Sequence, residues 1–270
     1  MMDAEELLQQ GQLDQALQAL QQAIRKEPSN VKLRVFLFQL LCVIGAWERA
    51  LSQLDVAGDM DSLNLPMAQT YREAIHCELF RKEVFKGEKS PLIFGDPPEW
   101  TAFLIEALKH AGAGEYTQSE TLRNQAFELA PGSAGTIDEQ PFEWISDADN
   151  RIGPMMEAII NGRYYWIPMQ RLKQVTLDAP EDLRDMVWAP AHLTFENEGQ
   201  SVALIPARYP GTEEESDSML KLSRKTEWQE PHQGLFTGLG QKMFATDLQE
   251  YPLLGTRQID FNASADSDAD

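Results

Sequence analysis

A spacing of 34 residues between two matching sets of small and apolar positions most constrains how this 270-residue chain can fold. Four positions recur at one constant offset, with Gly11, Ala16, Leu20 and Ala23 returning as Gly45, Ala50, Leu54 and Ala57. Apolar residues in each segment follow the i, i+3, i+4, i+7 spacing of one helix face. A glycine ends a tight turn easily, and small alanines let paired helices approach closely. The repeat therefore predicts stacked helical hairpins.

This period and these residue types are typical of the tetratricopeptide unit. A weaker third copy ends the segment, with Gly114, Ala126 and Pro131 in the corresponding places. Residues 67–86 and 100–111 are predicted to form further helices between the copies. We therefore predict a tetratricopeptide-like helical array over residues 1–131, with an ordinary antiparallel helix bundle as the alternative.

The second half of the chain has a different pattern, in which short apolar runs rich in aromatic and β-branched residues lie between turn residues. These runs predict strands at 164–167, 172–177, 186–188, 193–195, 202–205, 243–245 and 259–261. Helical spacing persists only around 155–160, which we predict to be a short helix. A proline follows or interrupts three of the strand patterns, at Pro168, Pro190 and Pro206.

Because proline cannot donate to a sheet ladder, it belongs at strand ends, edges or bulges. Three such prolines fit a bent antiparallel sheet or a partial barrel better than a flat central sheet. The sequence therefore predicts a multidomain chain of α and α+β class, with a small α+β domain over residues 137–262. The last residues, 263–270, are small and acidic and are predicted to be a disordered tail.

Acidic residues outnumber basic ones, 43 Asp and Glu against 23 Lys and Arg, which gives a formal net charge of −20. Such a field repels phosphates, so nucleic acid and anionic membrane surfaces are poor partners, whereas a basic peptide is a better match. The alternative is that the acidity serves only solubility. The longest apolar stretch, 33–44, is much shorter than the ~20 residues that span a bilayer.

The predicted compartment is the cytoplasm. The N-terminus is acidic and lacks the pattern of a signal peptide. The two cysteines, Cys42 and Cys77, lie in predicted helices and make neither a disulfide framework nor a metal-binding pair.

Candidate catalytic and metal motifs are weak. Asp147 and Asp149 suggest a calcium loop, but Ile152 and Ala158 stand where such a loop needs Gly and Glu. We interpret the two carboxylates as caps of a following helix. The four histidines are scattered, and no zinc, nucleophile-elbow or phosphate-loop motif is present, so no cofactor is expected. The Gly-Leu-Gly at 238–240 is interpreted as a hairpin turn.

Arginines beside aromatic residues form the one cluster that suggests an interface, because Arg, Tyr and Trp are common interface anchors. The candidate partner-binding residues are Arg151, Arg163, Tyr164, Trp166, Arg208 and Tyr209. The alternative is an internal Arg–Asp network, for instance Arg184 with Asp147 or Asp149.

Five segments carry a family resemblance: 144–154 (WISDADNRIGP), 161–168 (NGRYYWIP), 183–188 (LRDMVW), 205–211 (IPARYPG) and 226–228 (TEW). In order and content they resemble the ImpE family, also called TagJ or SciE-type, of type VI secretion accessory proteins. Members of that family also begin with a tetratricopeptide-like half. The resemblance implies a cytoplasmic accessory of a Gram-negative bacterium that binds a helix of the small sheath subunit, TssB. It also implies a link to the ClpV ATPase, which recycles contracted sheath, and it brings no catalytic residues.

We therefore predict a non-enzymatic protein whose helical half presents a groove to an amphipathic partner segment. The alternative is a hydrolytic or small-ligand enzyme in the second half, with Asp147, Asp149, Arg151 and His192 in its site.

Overall fold

The structure is a computed structural model, and it describes residues 3–262. The predicted acidic tail at 263–270 lies outside the described residues. Seven helices precede residue 130, and a short one follows later. They are α1 (Ala4–Gln9), α2 (Leu13–Lys26), α3 (Val31–Ile44), α4 (Trp47–Met60), α5 (Leu65–Phe85), α6 (Glu99–Gly112), α7 (Tyr116–Leu129) and α8 (Ser218–Lys221).

The 34-residue repeat builds helical hairpins. Gly11 joins α1 to α2, Gly45 joins α3 to α4, and Gly114 joins α6 to α7, each with φ between +74° and +81°. That backbone conformation is accessible to glycine without a steric cost. Ala16 and Ala50 are fully buried where the paired helices meet. The tetratricopeptide-like array is thus confirmed, and the helices predicted at 67–86 and 100–111 are α5 and α6.

Strands dominate the rest of the chain. The described residues contain β1 (Leu92–Ile93), β2 (Gly135–Ile137), β3 (Gln140–Phe142), β4 (Ile145–Asp147), β5 (Met155–Ile160), β6 (Arg163–Pro168), β7 (Leu172–Leu177), β8 (Trp188–Phe195), β9 (Gln200–Pro206), β10 (Thr226–His232), β11 (Leu235–Gly240), β12 (Met243–Thr246), β13 (Glu250–Pro252) and β14 (Gln258–Phe261).

These strands form three open sheets. The largest has nine strands in the order β1, β6, β5, β9, β8, β7, β14, β2, β3. The smaller sheets are β10–β11 and β13–β12–β4. All strand pairs are antiparallel except β1–β6, in which a strand from the helical half extends the sheet. The predicted antiparallel sheet is therefore confirmed, and within residues 3–262 it is open rather than a closed barrel.

Three local predictions are wrong in whole or in part. The strand predicted at 186–188 begins only at Trp188, because Leu183–Met186 is a short 3-10 helix that ends at Val187. Met155–Ile160 is the strand β5 and not a helix. All six of its residues are buried, so the sequence lacks the alternation of apolar and polar residues that marks a strand with one solvent-exposed face. The glycines at 238–240 lie in strand β11 and not in a hairpin turn. Residue 238 is a glycine in a strand because the ring of Tyr209 lies too close for any side chain there.

The prolines lie where the sheet tolerates them. Pro168 and Pro206 end their strands. Pro190 lies inside β8. The pairing of β8 with β7 ends at Ala191, opposite Leu177, so Pro190 is one residue outside that pairing. Its missing N–H therefore interrupts no bond to β7.

The helices and the large sheet share one apolar core. Trp188 of β8 lies with its ring centroid 5.8 Å from that of Tyr71 in α5 and 6.0 Å from that of Trp47 in α4. A second core lies within the sheet-rich half and includes Ile137 and Phe244. The first core is continuous across both halves, and the division of the chain into domains at 1–131 and 137–262 stays a prediction. No helix among the described residues is long and apolar enough to span a membrane.

Candidate protein-binding groove

A groove of about 740 Å³ lies between α1, α3 and the loop at 180–186. Its apolar lining comes mainly from the first half of α3 and from that loop: Leu8, Val31, Leu33, Val35, Phe36, Leu183, Met186 and Leu222. We call this surface the groove. It exists because α3 is apolar on more than one face, so that residues 31–36 stay partly exposed while residues 37–43 enter the core.

Carboxylates dominate the charged residues that line the groove. They are Glu5, Asp61, Glu181 and Asp182. The two basic lining residues are Lys32 and Arg224. The Arg224 guanidinium is already engaged, since it donates to the carbonyl oxygens of Leu8 and Gln9 at 3.0 and 2.9 Å. The groove therefore favours a partner segment with an apolar face and basic flanks.

Two arginines of the sheet-rich half cap the helices that form the groove. Arg208 Nη1 donates to the carbonyl oxygen of Val43 at 2.8 Å, and Nη2 donates to that of Cys42 at 3.3 Å. The final carbonyls of a helix have no intrahelical donor and carry the negative end of its dipole, so a buried guanidinium satisfies both needs. Arg224, an exposed residue, bonds to the last carbonyls of α1 in the same way. These contacts fix α1 and α3 relative to the sheet.

Gln39 holds the loop side of the groove. Its side chain is buried in α3, and its Oε1 accepts a hydrogen bond from the Leu183 amide at 3.1 Å. Next in sequence, the Asp185 side chain accepts from the amides of Glu181 and Asp182 at 2.9 and 2.8 Å. The loop is therefore tied both to itself and to the helical array, which gives the groove a defined wall.

A buried ionic network lies between α5 and the sheet. Glu157 of β5 bonds to Arg81 at 2.5 Å and to Lys242 Nζ at 2.5 Å, and it accepts a hydrogen bond from the Tyr164 hydroxyl. Burial alone would raise the pKa of Glu157, but the charges of Arg81 and Lys242 outweigh it and hold that pKa well below its usual range. Lys242 also bonds to Asp147 at 2.7 Å. Each charged group of the network therefore has a partner of opposite charge within the protein.

The interpretation of Asp147 and Asp149 as helix caps is wrong, because the next element is the strand β5. Asp149 instead accepts from the Gly238 amide at 2.9 Å and pairs with Arg151 at 2.5 Å. The specific pairing of Arg184 with Asp147 or Asp149 is also wrong. Arg184 pairs with Asp182 and lies over the Tyr71 ring, 4.7 Å from its centroid. An internal Arg–Asp network exists, but with other members.

The six candidate partner-binding residues have different surroundings. Tyr164, Trp166, Arg208 and Tyr209 are buried, and Trp166 Nε1 donates to the Tyr164 hydroxyl at 2.7 Å. Arg151 is half-buried against Asp149, and Arg163 is exposed. Direct partner contact stays a prediction for this set, and the observed contacts of its four buried members are internal.

The residues of the enzyme alternative are only partly brought together. Asp147 and Asp149 adjoin, since the Asp149 amide donates to Asp147 Oδ1 at 2.9 Å. His192 is exposed on β8, where it pairs with Thr176 and Val202 in the sheet. No cluster of three or more His, Cys, Asp or Glu residues within 3–262 is arranged to hold a metal ion.

Sequence reasoning missed Arg81, Glu157, Lys242 and Arg224. The signal for Glu157 was a single carboxylate inside an otherwise apolar run, which indicates either a helix with one polar position or a buried ion pair. Its partners lie 76 and 85 positions away, at Arg81 and Lys242, so no local pattern connects them. Arg224 lies in a polar segment and carries no distinguishing signal.

The fold and the groove together define a tetratricopeptide protein with an appended sheet-rich domain. The repeat model described as "Tetratricopeptide repeat" matches residues 7–71. The same fold occurs in the crystal structure of protein VPA1032 from Vibrio parahaemolyticus. That similarity has a TM-score of 0.88, with 25% sequence identity, and covers 97% of this chain and 98% of that one.

The sheet-rich half identifies the family. The model described as "ImpE protein" matches residues 139–260. The chain is also 51% identical over 262 residues to the "Type VI secretion system accessory component TagJ" of Pseudomonas aeruginosa, which covers 96% of this chain and 91% of TagJ. The chain therefore belongs to the ImpE family of type VI secretion accessory proteins, which confirms the resemblance seen in its motifs.

Proposed function

We propose that this chain is a non-enzymatic accessory of the type VI secretion apparatus, and that its groove binds a helix of the small sheath subunit TssB. We place this activity in the cytoplasm of a Gram-negative bacterium, where contracted sheath is recycled by the ClpV ATPase. The groove carries the proposal, since it is an apolar surface of helical repeats with an acidic surround. Family membership supports a role in type VI secretion. The choice of TssB as the bound subunit follows from what the family resemblance implies.

The apolar lining residues of the groove suit a helical segment. A helix with its side chains is roughly 10–12 Å across, and it is recognised through anchors at i, i+3, i+4 and i+7. Leu33, Val35 and Phe36 offer partly exposed apolar area along α3 for such anchors. Burial of each large apolar anchor contributes about 1.5–3 kcal/mol to binding.

The charge distribution supports a basic partner helix. Glu5 of α1 and Glu181 of the 180–186 loop are exposed and line the groove. Lysine or arginine beside the apolar anchors would pair with them, which speeds association and selects against acidic helices. Such pairs are screened by salt, so binding should weaken as ionic strength rises.

Co-purification distinguishes the two candidate partners. The full-length chain, the Phe36→Ala variant and the Val202→Ala variant are each mixed separately with purified TssB and with purified ClpV. Val202 is an exposed apolar residue on β9, so it serves as a matched control for loss of surface area. The proposal expects the wild type and Val202→Ala to retain TssB and Phe36→Ala to lose it. Retention of ClpV alone, or of neither protein, would overturn the choice of TssB.

A further inference from the structure

A second concave surface, which the groove does not use, is built mainly by the 144–154 segment. It is a cleft of about 360 Å³, and most of its lining belongs to that segment, including Trp144, Ile145 and Pro154. Phe127, the 130–133 loop and Ala245 complete it. We call this surface the signature cleft. The 144–154 segment, the longest of the family motifs, therefore contributes to a concave surface.

Hydrogen bonds, an ion pair and close packing hold the walls of the signature cleft. The Asp147 amide donates to the carbonyl oxygen of Gly153 at 2.8 Å, and the Asp147 carboxylate is anchored by Lys242 at 2.7 Å. Gly153 has φ +55°, and a Cβ there would lie 2.5 Å from Cε1 of Phe127. The turn can thus pack directly on Phe127 only as glycine. A preformed site of this kind loses little conformational entropy on binding.

Large exposed apolar residues lie in the segments that line this cleft or are bonded to them. Trp144 lines it and is 43% exposed, and Leu129, between two lining residues, is 52% exposed. Phe236, whose amide donates to Asn150 of the lining at 2.8 Å, is 47% exposed. Single exposed apolar residues are ordinary, but several around one concavity mark an interaction surface. Tryptophan is also the residue most enriched among interface anchors.

The surroundings of the signature cleft are acidic. Glu128 and Glu143 are exposed and adjoin lining residues in sequence. Asp247 is exposed too, and its Oδ1 accepts from the amide of Glu143, the residue before Trp144, at 2.8 Å. Among the described residues that line the cleft, none is basic. An apolar centre with a carboxylate rim matches an apolar side chain with cationic neighbours.

We propose that the signature cleft is a second docking site, which accepts a bulky apolar side chain flanked by lysine or arginine in an exposed segment of a partner protein. The volume fits one or two large side chains and is too small for a helix face. The acidic rim repels nucleic acid and anionic lipid. The site is separate from the groove and does not depend on which subunit the groove binds.

The test uses full-length protein and a fluorescein-labelled hexapeptide of sequence Lys-Lys-Trp-Leu-Lys-Lys, with two matched peptides. One replaces every lysine with glutamate, and the other replaces the Trp-Leu pair with Ala-Ala. Fluorescence anisotropy measures affinity, and fluorine NMR of 5-fluorotryptophan-labelled protein locates the site. The Trp144 resonance is assigned by its loss in Trp144→Phe. The proposal expects saturable binding of the first peptide only, with a shift of the Trp144 resonance.

Variants separate the cleft from other surfaces. Trp144→Ala should weaken binding of the lysine peptide by about tenfold or more. Glu143→Lys should weaken it by roughly threefold at low salt and less at high salt. Val202→Ala and the groove variant Phe36→Ala should bind as the wild type does. The proposal is overturned if the Trp144 resonance does not move, if the glutamate peptide binds equally, or if Phe36→Ala alone abolishes binding.

Discussion

Arg208 Nη1 lies 2.8 Å from the carbonyl oxygen of Val43, so a residue that follows β9 caps a helix 165 positions earlier in the chain. The same nitrogen also donates to the Lys221 carbonyl at 2.7 Å, at the end of α8. One buried guanidinium therefore joins the helical array, the sheet and α8. The groove formed by α3 depends on a residue that belongs to the other half of the chain.

Arg208→Ala should destabilise the protein by about 2–4 kcal/mol. The substitution leaves the Val43 carbonyl without its Arg208 donor and removes a second bond to the Cys42 carbonyl, which keeps the Gly45 amide. Hydrogen bonds to charged groups each contribute roughly 1.5–3 kcal/mol. Urea unfolding followed by circular dichroism measures the change. Arg163→Ala is the matched control, because Arg163 is exposed, and it should stay within about 0.5 kcal/mol of wild type. Equal effects of the two substitutions would contradict the capping role.

Glu157→Gln should cost about 3–5 kcal/mol at neutral pH, because it leaves Arg81 and Lys242 buried without their shared carboxylate. The pKa of Glu157 is lowered in the folded state, so its contribution is present above the unfolded-state pKa of about 4.3 and is lost as pH falls below it. The stability gap between wild type and variant should therefore shrink on acidification.

Urea unfolding of both proteins at pH 7, 5, 4 and 3 measures that gap. Burial raises the pKa of Asp147, which gives a pH dependence of the opposite sign, and Lys242 links Asp147 to Glu157, so both proteins are compared in an Asp147→Asn background. A gap that stays constant or grows between pH 5 and pH 3 would argue against an ionised Glu157 in this network.

Gly45→Ala should destabilise the chain more than Gly114→Ala. Both glycines have nearly the same positive φ, +81° and +78°, so an alanine suffers a similar backbone strain of about 1–2 kcal/mol at each position. A Cβ at Gly45 would also lie 2.6 Å from the Cβ of Glu213, whereas open space surrounds Gly114. The overlap should add about 1–3 kcal/mol. Thermal unfolding of the two variants compares them directly, and equal shifts would mean that Glu213 does not pack against this turn.

The two cysteines should resist thiol reagents in the native protein. Burial raises the pKa of Cys77 to about 12 and holds the pKa of Cys42 well above its ordinary value. Because the thiolate is the reactive form, labelling by an aromatic disulfide at pH 8 should be more than about a hundredfold slower than after unfolding in urea. Absorbance of the released thiolate gives the rate, and rapid labelling of one equivalent in the native protein would show that one thiol is accessible.

The helical half was predictable because its information is local. A fixed period, small residues at helix contacts and glycines at turns specify each hairpin within 34 residues. The strand patterns were also local, but residues 186 and 187 form a short 3-10 helix and its cap. In β5, burial on both faces removed the alternation, and the sequence wrongly predicted a helix. The family motifs could be recognised in the sequence, but the contacts that their residues make could not be predicted from it.

The site was less predictable because its parts are distant in sequence. Arg208 and Tyr209 stand out as Arg and Tyr in a motif, yet sequence cannot say whether such residues face a partner or the core. The structure buries both. The groove needs the 180–186 loop to lie against α3, and the contact that holds it joins Gln39 to Leu183, 144 positions apart. The sequence therefore could not predict the wall that the 180–186 loop gives to the groove.

The most direct test of the groove as the partner site is calorimetric titration of full-length protein with a synthetic peptide of a TssB helix, at low and high salt. We expect saturable binding by wild type and Val202→Ala, and at least about tenfold weaker binding by Phe36→Ala. Joint reversal of the exposed carboxylates Glu5 and Glu181 to lysine should reduce both affinity and its salt dependence. Absence of saturable heat at high micromolar peptide, or unchanged binding by Phe36→Ala, would contradict the account.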